Sequence, residues 1–344
     1  MMQKQTVVLL SLCMLSGCFL FSIAATAQSP EISLREFASG QIKKGVRSIG
    51  MGGNGATWGN YSLVWRDSGT ALIDAGATSY TNHNSFSFTA AGITTPALWH
   101  GLTIYAIELS QYAANVATSL KSPGLGSSPV LVHGDGNNQA LFIKAAMPLS
   151  NGFSVGVLLS YERSQFSAVS DNSAADDVRY HTNWVPSGGF GITWQPNKRI
   201  LAGFRALFNN DMEYRTDNTG TSKGLNAVQE YRLGVSVGLW DGALADLGGN
   251  LRAKSNKISK TSATITEPNL GFEQVFLHRH LALRTGVDET SYTAGFSVKF
   301  QPVSVDVAYV NNIGIARVGD LFGTASNSVI ATFVFNYGAL KKRK

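Results

Sequence analysis

Ser291–Phe300 reads Ser-Tyr-Thr-Ala-Gly-Phe-Ser-Val-Lys-Phe. Tyr292, Ala294, Phe296, Val298 and Phe300 are apolar, and Thr293, Gly295, Ser297 and Lys299 stand between them. Successive side chains of a β-strand point to opposite faces, so this order gives a strand with one greasy face and one polar face. Only Gln301-Pro302 separates it from a second copy of the pattern, in which Val303, Val305, Val307 and Tyr309 oppose Ser304, Asp306 and Ala308.

The same alternation recurs upstream. Phe153, Val155, Val157, Leu159 and Tyr161 oppose Ser154, Gly156, Ser160 and Glu162, and Tyr231, Leu233, Val235, Val237 and Leu239 oppose Arg232, Gly234, Ser236 and Gly238. Phe190–Trp194, Ile200–Phe208, Leu281–Val287 and Val329–Tyr337 follow suit. Runs of about ten residues match a tilted strand crossing a bilayer. Aromatic residues bound them (Tyr161, Trp194, Phe208, Tyr231, Tyr292, Phe300, Tyr309, Tyr337), as the interfacial girdles of a membrane barrel require. Tight connections at Leu149–Gly152, Gln195–Arg199, Asp241-Gly242, His278-Arg279 and Gln301-Pro302 alternate with long polar ones: Gln111–Asn138, Ser164–His181, Asn209–Gln229, Ala253–Glu267 and Asn311–Ser328. Further strands near Thr70–Tyr80, Asn84–Ile93, Gly101–Ser110 and Asn138–Pro148 complete the scheme. The expectation is an all-β fold, an antiparallel up-and-down transmembrane barrel of about fourteen strands over 70–337, with twelve as the alternative.

Composition agrees. Of 344 residues only 15% are charged, against ~25% in soluble domains, and mean hydropathy is +0.02 because the two faces average out. The net charge of +6 owes much to the tail, 338–344, which ends Lys341-Lys342-Arg343-Lys344. The remaining cations are scattered, without the clustered face nucleic-acid binding needs. At the N-terminus an apolar run from Val7 to Ile23 precedes Ala25-Thr26-Ala27, a small-x-small cleavage pattern, so 1–27 reads as a secretory signal peptide. Lipidation of Cys18, after Leu15-Ser16-Gly17, and an uncleaved anchor helix are the competing readings. Cys13 and Cys18 are the only cysteines, so cleavage would leave no thiol chemistry. The expected location is the cell outer membrane, with its lipid as first partner.

Residues 28–69 show no membrane-length alternation and read as an N-terminal plug or periplasmic arm. Gly50-Met51-Gly52-Gly53-Asn54-Gly55, with Asp74 beyond it, fits a dinucleotide fingerprint, but no strand precedes it and no βαβ unit follows. A tight glycine-dependent backbone path is the alternative. His278 and His280 share a turn without a third metal ligand, Asp176-Asp177 sits in a polar connection, and no convergent catalytic set appears. An enzyme is not expected, nor a cofactor.

Gly45-Val46-Arg47-Ser48-Ile49-Gly50-Met51-Gly52-Gly53 resembles the signature near the mature N-terminus of FadL-like barrels. Gly189–Gly203, with Gln195-Pro196-Asn197 and Arg199, is similar to a hairpin of that superfamily, and Leu281–Tyr309 to its C-terminal strands. The superfamily holds long-chain fatty-acid and hydrocarbon transporters and PorV/PorQ-like barrels of type IX secretion. The resemblance implies fourteen strands and a plug carrying Arg47, Gly50, Met51, Gly52 and Gly53. Where relatives carry Asn-Pro-Ala, this chain has Asp67-Ser68-Gly69-Thr70-Ala71.

The polar faces place Lys144, Glu162, Arg205, Arg232, Arg284, Lys299 and Asp306 in a watery lumen. They are candidates either for a charge-lined path or for an ion-pair network joining plug to wall. The functional expectation is a passive channel for small hydrophobic compounds. The alternative is a docking barrel that binds other envelope proteins and transports nothing.

Overall fold

The computed structural model describes residues 46–53, 55–80, 85–120, 130–170, 178–209, 212–216, 222–225, 227–256, 261–288, 291–312 and 325–338. The stretch 1–27 read as a signal peptide, with Cys13 and Cys18, residues 28–45, Asp176-Asp177 and the basic run 341–344 lie outside them.

Seventeen strands form one antiparallel sheet: β1 (Thr70–Tyr80), β2 (Ser85–Thr94), β3 (Thr103–Leu120), β4 (Val130–Pro148), β5 (Phe153–Ser170), β6 (Val178–Thr182), β7 (Val185–Asn197), β8 (Ile200–Asn209), β9 (Met212–Thr216), β10 (Ser222–Leu225), β11 (Ala227–Trp240), β12 (Ala243–Asn256), β13 (Thr261–Phe276), β14 (Leu281–Asp288), β15 (Ser291–Phe300), β16 (Val303–Asn312) and β17 (Ala325–Asn336). The short β6, β9 and β10 pair with one another or extend β5. The other fourteen form the wall. It closes because β1 pairs with both β2 and β17, from Thr70↔Asn336 upward. Closure leaves no open edge, which a strand-built wall in lipid requires.

Alternation sets the two faces. Leu158 is fully buried while Leu159 beside it is 64% exposed, the signature of a wall with an interior and a lipid-facing exterior. Aromatic side chains ring the outside at two levels: Phe153 stacks with Trp194 at 6.0 Å near the short turns, and Tyr161 with Trp184 at 5.7 Å at the far end.

Two expectations are corrected. Where they are described, the polar stretches drawn as long loops are strand: β3, β4 and β5 run 18, 19 and 18 residues. Beyond the lipid both faces are wet, so pairing continues without any hydrophobic alternation to betray it. The inward face is also not uniformly watery. Ile107, Phe142, Leu158, Leu207, Val310 and Ile330 point inward and are buried in one cluster with Tyr61 and Val64.

Candidate functional site

Residues 46–69 run inside the wall near the short-turn end. They comprise one helical turn, α1 (Val46–Ile49), a glycine-rich path, and a 3₁₀ helix over Tyr61–Asp67. Met51 and Tyr61 have no exposed surface. Gly52 has φ +82°, and a Cβ there would meet the Val287 carbonyl at 2.8 Å, so the path is open to glycine alone. The wall answers with inward glycines where the segment's backbone touches it. A Cβ on Gly286 would sit 2.2 Å from the Gly52 nitrogen, one on Gly271 2.3 Å from the Met51 oxygen, and one on Gly203 1.9 Å from the Ala56 oxygen. Part of the chain's glycine content is thus a seat for this segment.

Polar contacts fasten what the glycines admit. Asn60 caps the 3₁₀ helix by accepting from Ser62 N at 3.0 Å, and its amide donates to the carbonyls of Ala56 at 2.6 Å and Phe204 at 3.0 Å. Ser62 and Thr193 hydroxyls lie 2.8 Å apart, and Trp65 Nε1 donates to Ser154 Oγ at 3.1 Å. Thr57 Oγ1 donates to Asp246 Oδ1 at 2.6 Å. The bonds to Phe204, Thr193, Ser154 and Asp246 join the segment to four different strands, β8, β7, β5 and β12.

Two ionic clusters lie in this contact. In the first, Arg284 Nε donates to Glu273 at 2.6 Å while Arg47, from α1, donates through Nε to the same carboxylate at 2.9 Å. Arg284 also reaches Asp306 at 3.2 Å, and the Arg47 guanidinium lies 3.7 Å from the Trp58 ring centroid. In the second, Glu230 is shared by Arg205, at 3.1 Å, and Arg232. Arg232 Nη1 then donates to the Gly53 carbonyl at 2.7 Å. Arg205, Arg232, Arg284, Glu230 and Glu273 are desolvated, so each depends on its partners.

All seven candidates from the polar faces point inward. Arg205 and Arg232 meet through Glu230, and Arg284 meets Asp306. Lys144 is buried, its Nζ 5.2 Å from the Tyr105 ring and 5.8 Å from that of Tyr61. Glu162 is fully buried, whereas Lys299 is exposed near the turn end. Of the N-terminal motif, Arg47 joins the first cluster, Gly50–Gly52 lie against β13–β15, and Gly53 joins the second cluster. Asp74 hydrogen-bonds Thr332 on the wall, and His280 Nδ1 lies 2.7 Å from the Lys299 carbonyl. The sequence reading missed Asn60, Glu230, Asp246 and Glu273. A capping signal marked Asn60, an amide side chain just before a hydrophobic run.

Two cavities open beside the segment. One of about 360 Å³ is walled by Asp67, Asp74, Lys144 and Asp306 together with Leu63 and Val64. The other, about 520 Å³, lies at the turn end among Lys198, Arg199, Arg279 and Lys299, with Trp58 and Trp240. Enclosure by the barrel pushes the Asp67 carboxyl up to about 6, against the pull of Lys144 and Arg66. Its residue is nonetheless exposed to the open cavity, so solvent offsets part of that push.

No protein-family model matches the chain, and a search of curated proteins finds no match either. Solved structures do match. The toluene transporter TodX of Pseudomonas putida aligns over 90% of this chain and all of its own, at 10% identity and a TM-score of 0.56. A FadL homologue of Pseudomonas aeruginosa aligns over 91% of this chain and all of its own, at 10% identity and 0.53. A TodX deletion mutant described as a monoaromatic hydrocarbon channel gives 11% identity and 0.58 over 85% of this chain and 99% of its own. At these identities the likeness is one of fold: this chain has the barrel architecture of FadL-like channels.

Proposed function

We propose that the protein is a passive outer-membrane channel for small hydrophobic compounds, in which residues 46–69 act as a plug. The observation that carries this reading is the inward apolar cluster of Ile107, Phe142, Leu158, Leu207, Val310 and Ile330 abutting the plug's Tyr61 and Val64. The water-filled lumen of a porin is polar instead. A solute partitioning onto that surface reaches the plug, and displacement of the plug opens the way to the cavities at the turn end. Short turns mark that end as periplasmic. The shared architecture with barrels described as a toluene transporter and a hydrocarbon channel supports the same class of cargo.

A second reading, the docking barrel without flux, is favoured by the two buried ionic clusters, which hold the plug shut. One experiment separates the two. Ser62→Cys with Thr193→Cys replaces two hydroxyls 2.8 Å apart, a spacing a disulfide can bridge. Liposomes carrying this variant should take up toluene when it is reduced and fall to the rate of empty liposomes when it is oxidised. Equal uptake in both states would refute the plug as gate. Uptake no faster than through empty liposomes, for this variant and for the unmodified protein, would leave the docking barrel.

A further inference from the structure

Four cations gather at the turn end of the barrel. Lys198 and Arg199 sit on the β7–β8 turn, Arg279 on the turn between β13 and β14, and Lys299 near the end of β15. All four are exposed, and all line the cavity of about 520 Å³. Among the described residues their side chains make no ion pair and no hydrogen bond. The acids of the same cavity do not offset them. Glu273 is held by Arg47 and Arg284, and Asp241 is one carboxylate facing all four. Like charges on one wall repel, and a cleft of one sign gathers counter-ions.

The cavity also has an apolar side. Trp58 of the inner segment and Leu244, Val275 and Ala282 of the wall contribute it. Trp58 Nε1 is buried and has no acceptor among the described residues. A buried donor without an acceptor is costly, which favours a guest that brings one. The volume falls in the ~300–1,000 Å³ range of small-molecule sites, which set a few polar groups in an apolar wall.

We propose that this cavity binds a small organic anion, its carboxylate among Lys198, Arg199, Arg279 and Lys299 and its apolar body against Trp58, Leu244 and Val275. The cations alone would take inorganic phosphate as readily, and the apolar side alone would take a neutral solute. Together they select a molecule that carries both features. The cavity is walled by Arg47, Glu273 and Arg284 inside the barrel, so the ligand reaches it along the barrel axis and not from the surrounding lipid.

The protein in an uncharged detergent, titrated with benzoate in a calorimeter, tests this without any flux, so the result stands apart from the channel reading. Benzoate should bind saturably, and its neutral counterpart benzyl alcohol roughly ten-fold more weakly. Inorganic phosphate should compete with benzoate only at roughly ten-fold higher concentration. Lys198→Glu combined with Arg279→Glu changes two exposed turn positions and should weaken benzoate binding roughly ten-fold, with folding checked by heat-dependent gel migration. No saturable benzoate binding, equal binding of benzyl alcohol, equal competition by phosphate, or unchanged affinity in the double variant would overturn the proposal. The comparison of probes uses the unaltered protein, so it decides even if the variant fails to fold.

Discussion

Arg47 and Glu273 are 226 positions apart in the chain and meet as a two-pronged ion pair, with Arg47 Nε 2.9 Å from the carboxylate. The same carboxylate holds Arg284, so one acid binds the inner segment and the wall's own cation.

Removing that acid therefore does more damage than removing the exposed arm, Arg47. Glu273→Ala leaves the buried Arg284 short of a partner, a loss of about 3–5 kcal/mol for a desolvated pair. Arg47 is 35% exposed, so Arg47→Ala should cost only about 1 kcal/mol. Urea unfolding of the barrel in detergent should rank the midpoints wild type, then R47A, then E273A.

The glycine seats predict a sharp positional contrast. A Cβ at Gly203 would lie 1.9 Å from the Ala56 carbonyl, whereas one at Gly249 meets nothing nearer than 3.9 Å. Gly203→Ala should loosen the inner segment, at about 1–3 kcal/mol of overpacking, and expose it to protease. Gly249→Ala should leave digestion unchanged.

The apolar cluster predicts a coupled loss and gain. Phe142 is fully buried, and Phe142→Ala should destabilise the barrel by about 3–5 kcal/mol while widening the inner surface. Toluene uptake into liposomes should rise in this variant if the solute path crosses that surface, and stay level if it does not.

Asp67 gives a pH dependence of defined sign. Its carboxyl is raised from 3.8 to about 6, chiefly by enclosure within the barrel. Between those values the folded protein holds the proton more tightly than the unfolded chain, so this group's contribution to stability is greatest at low pH and falls as pH rises to about 6. Above about 6 it no longer changes. Comparing unfolding midpoints at pH 4.5 and 7.5, Asp67→Asn should lose part of the acid-side gain that the wild type shows.

The lipid-facing half of this fold was legible because lipid imposes one rule on every crossing. Ser291–Phe300 and Val303–Tyr309 obey it, and the observed β15 and β16 begin and end within a few residues of those limits. The extensions of β3–β5 were not legible, since water on both faces imposes no rule. Inside the barrel, residues opposite the greasy set are buried, Arg205 and Arg284 among them. Their partners Glu230 and Glu273 were not identified, because pairing across strands depends on register, which alternation alone leaves open. Leu158 and Leu207 stood among polar neighbours, so the dry cluster they belong to was invisible until the strands came together.

The seam has a bearing on biogenesis. Gly338 N donates to the Gly69 carbonyl at 3.0 Å, beside the pairing of β17 with β1. The cylinder is thus sealed by the pairing of its first wall strand with the seventeenth, β17. Whatever occupies its interior has to be in position, or be threaded in afterwards from an open mouth, by the time that final staple is made.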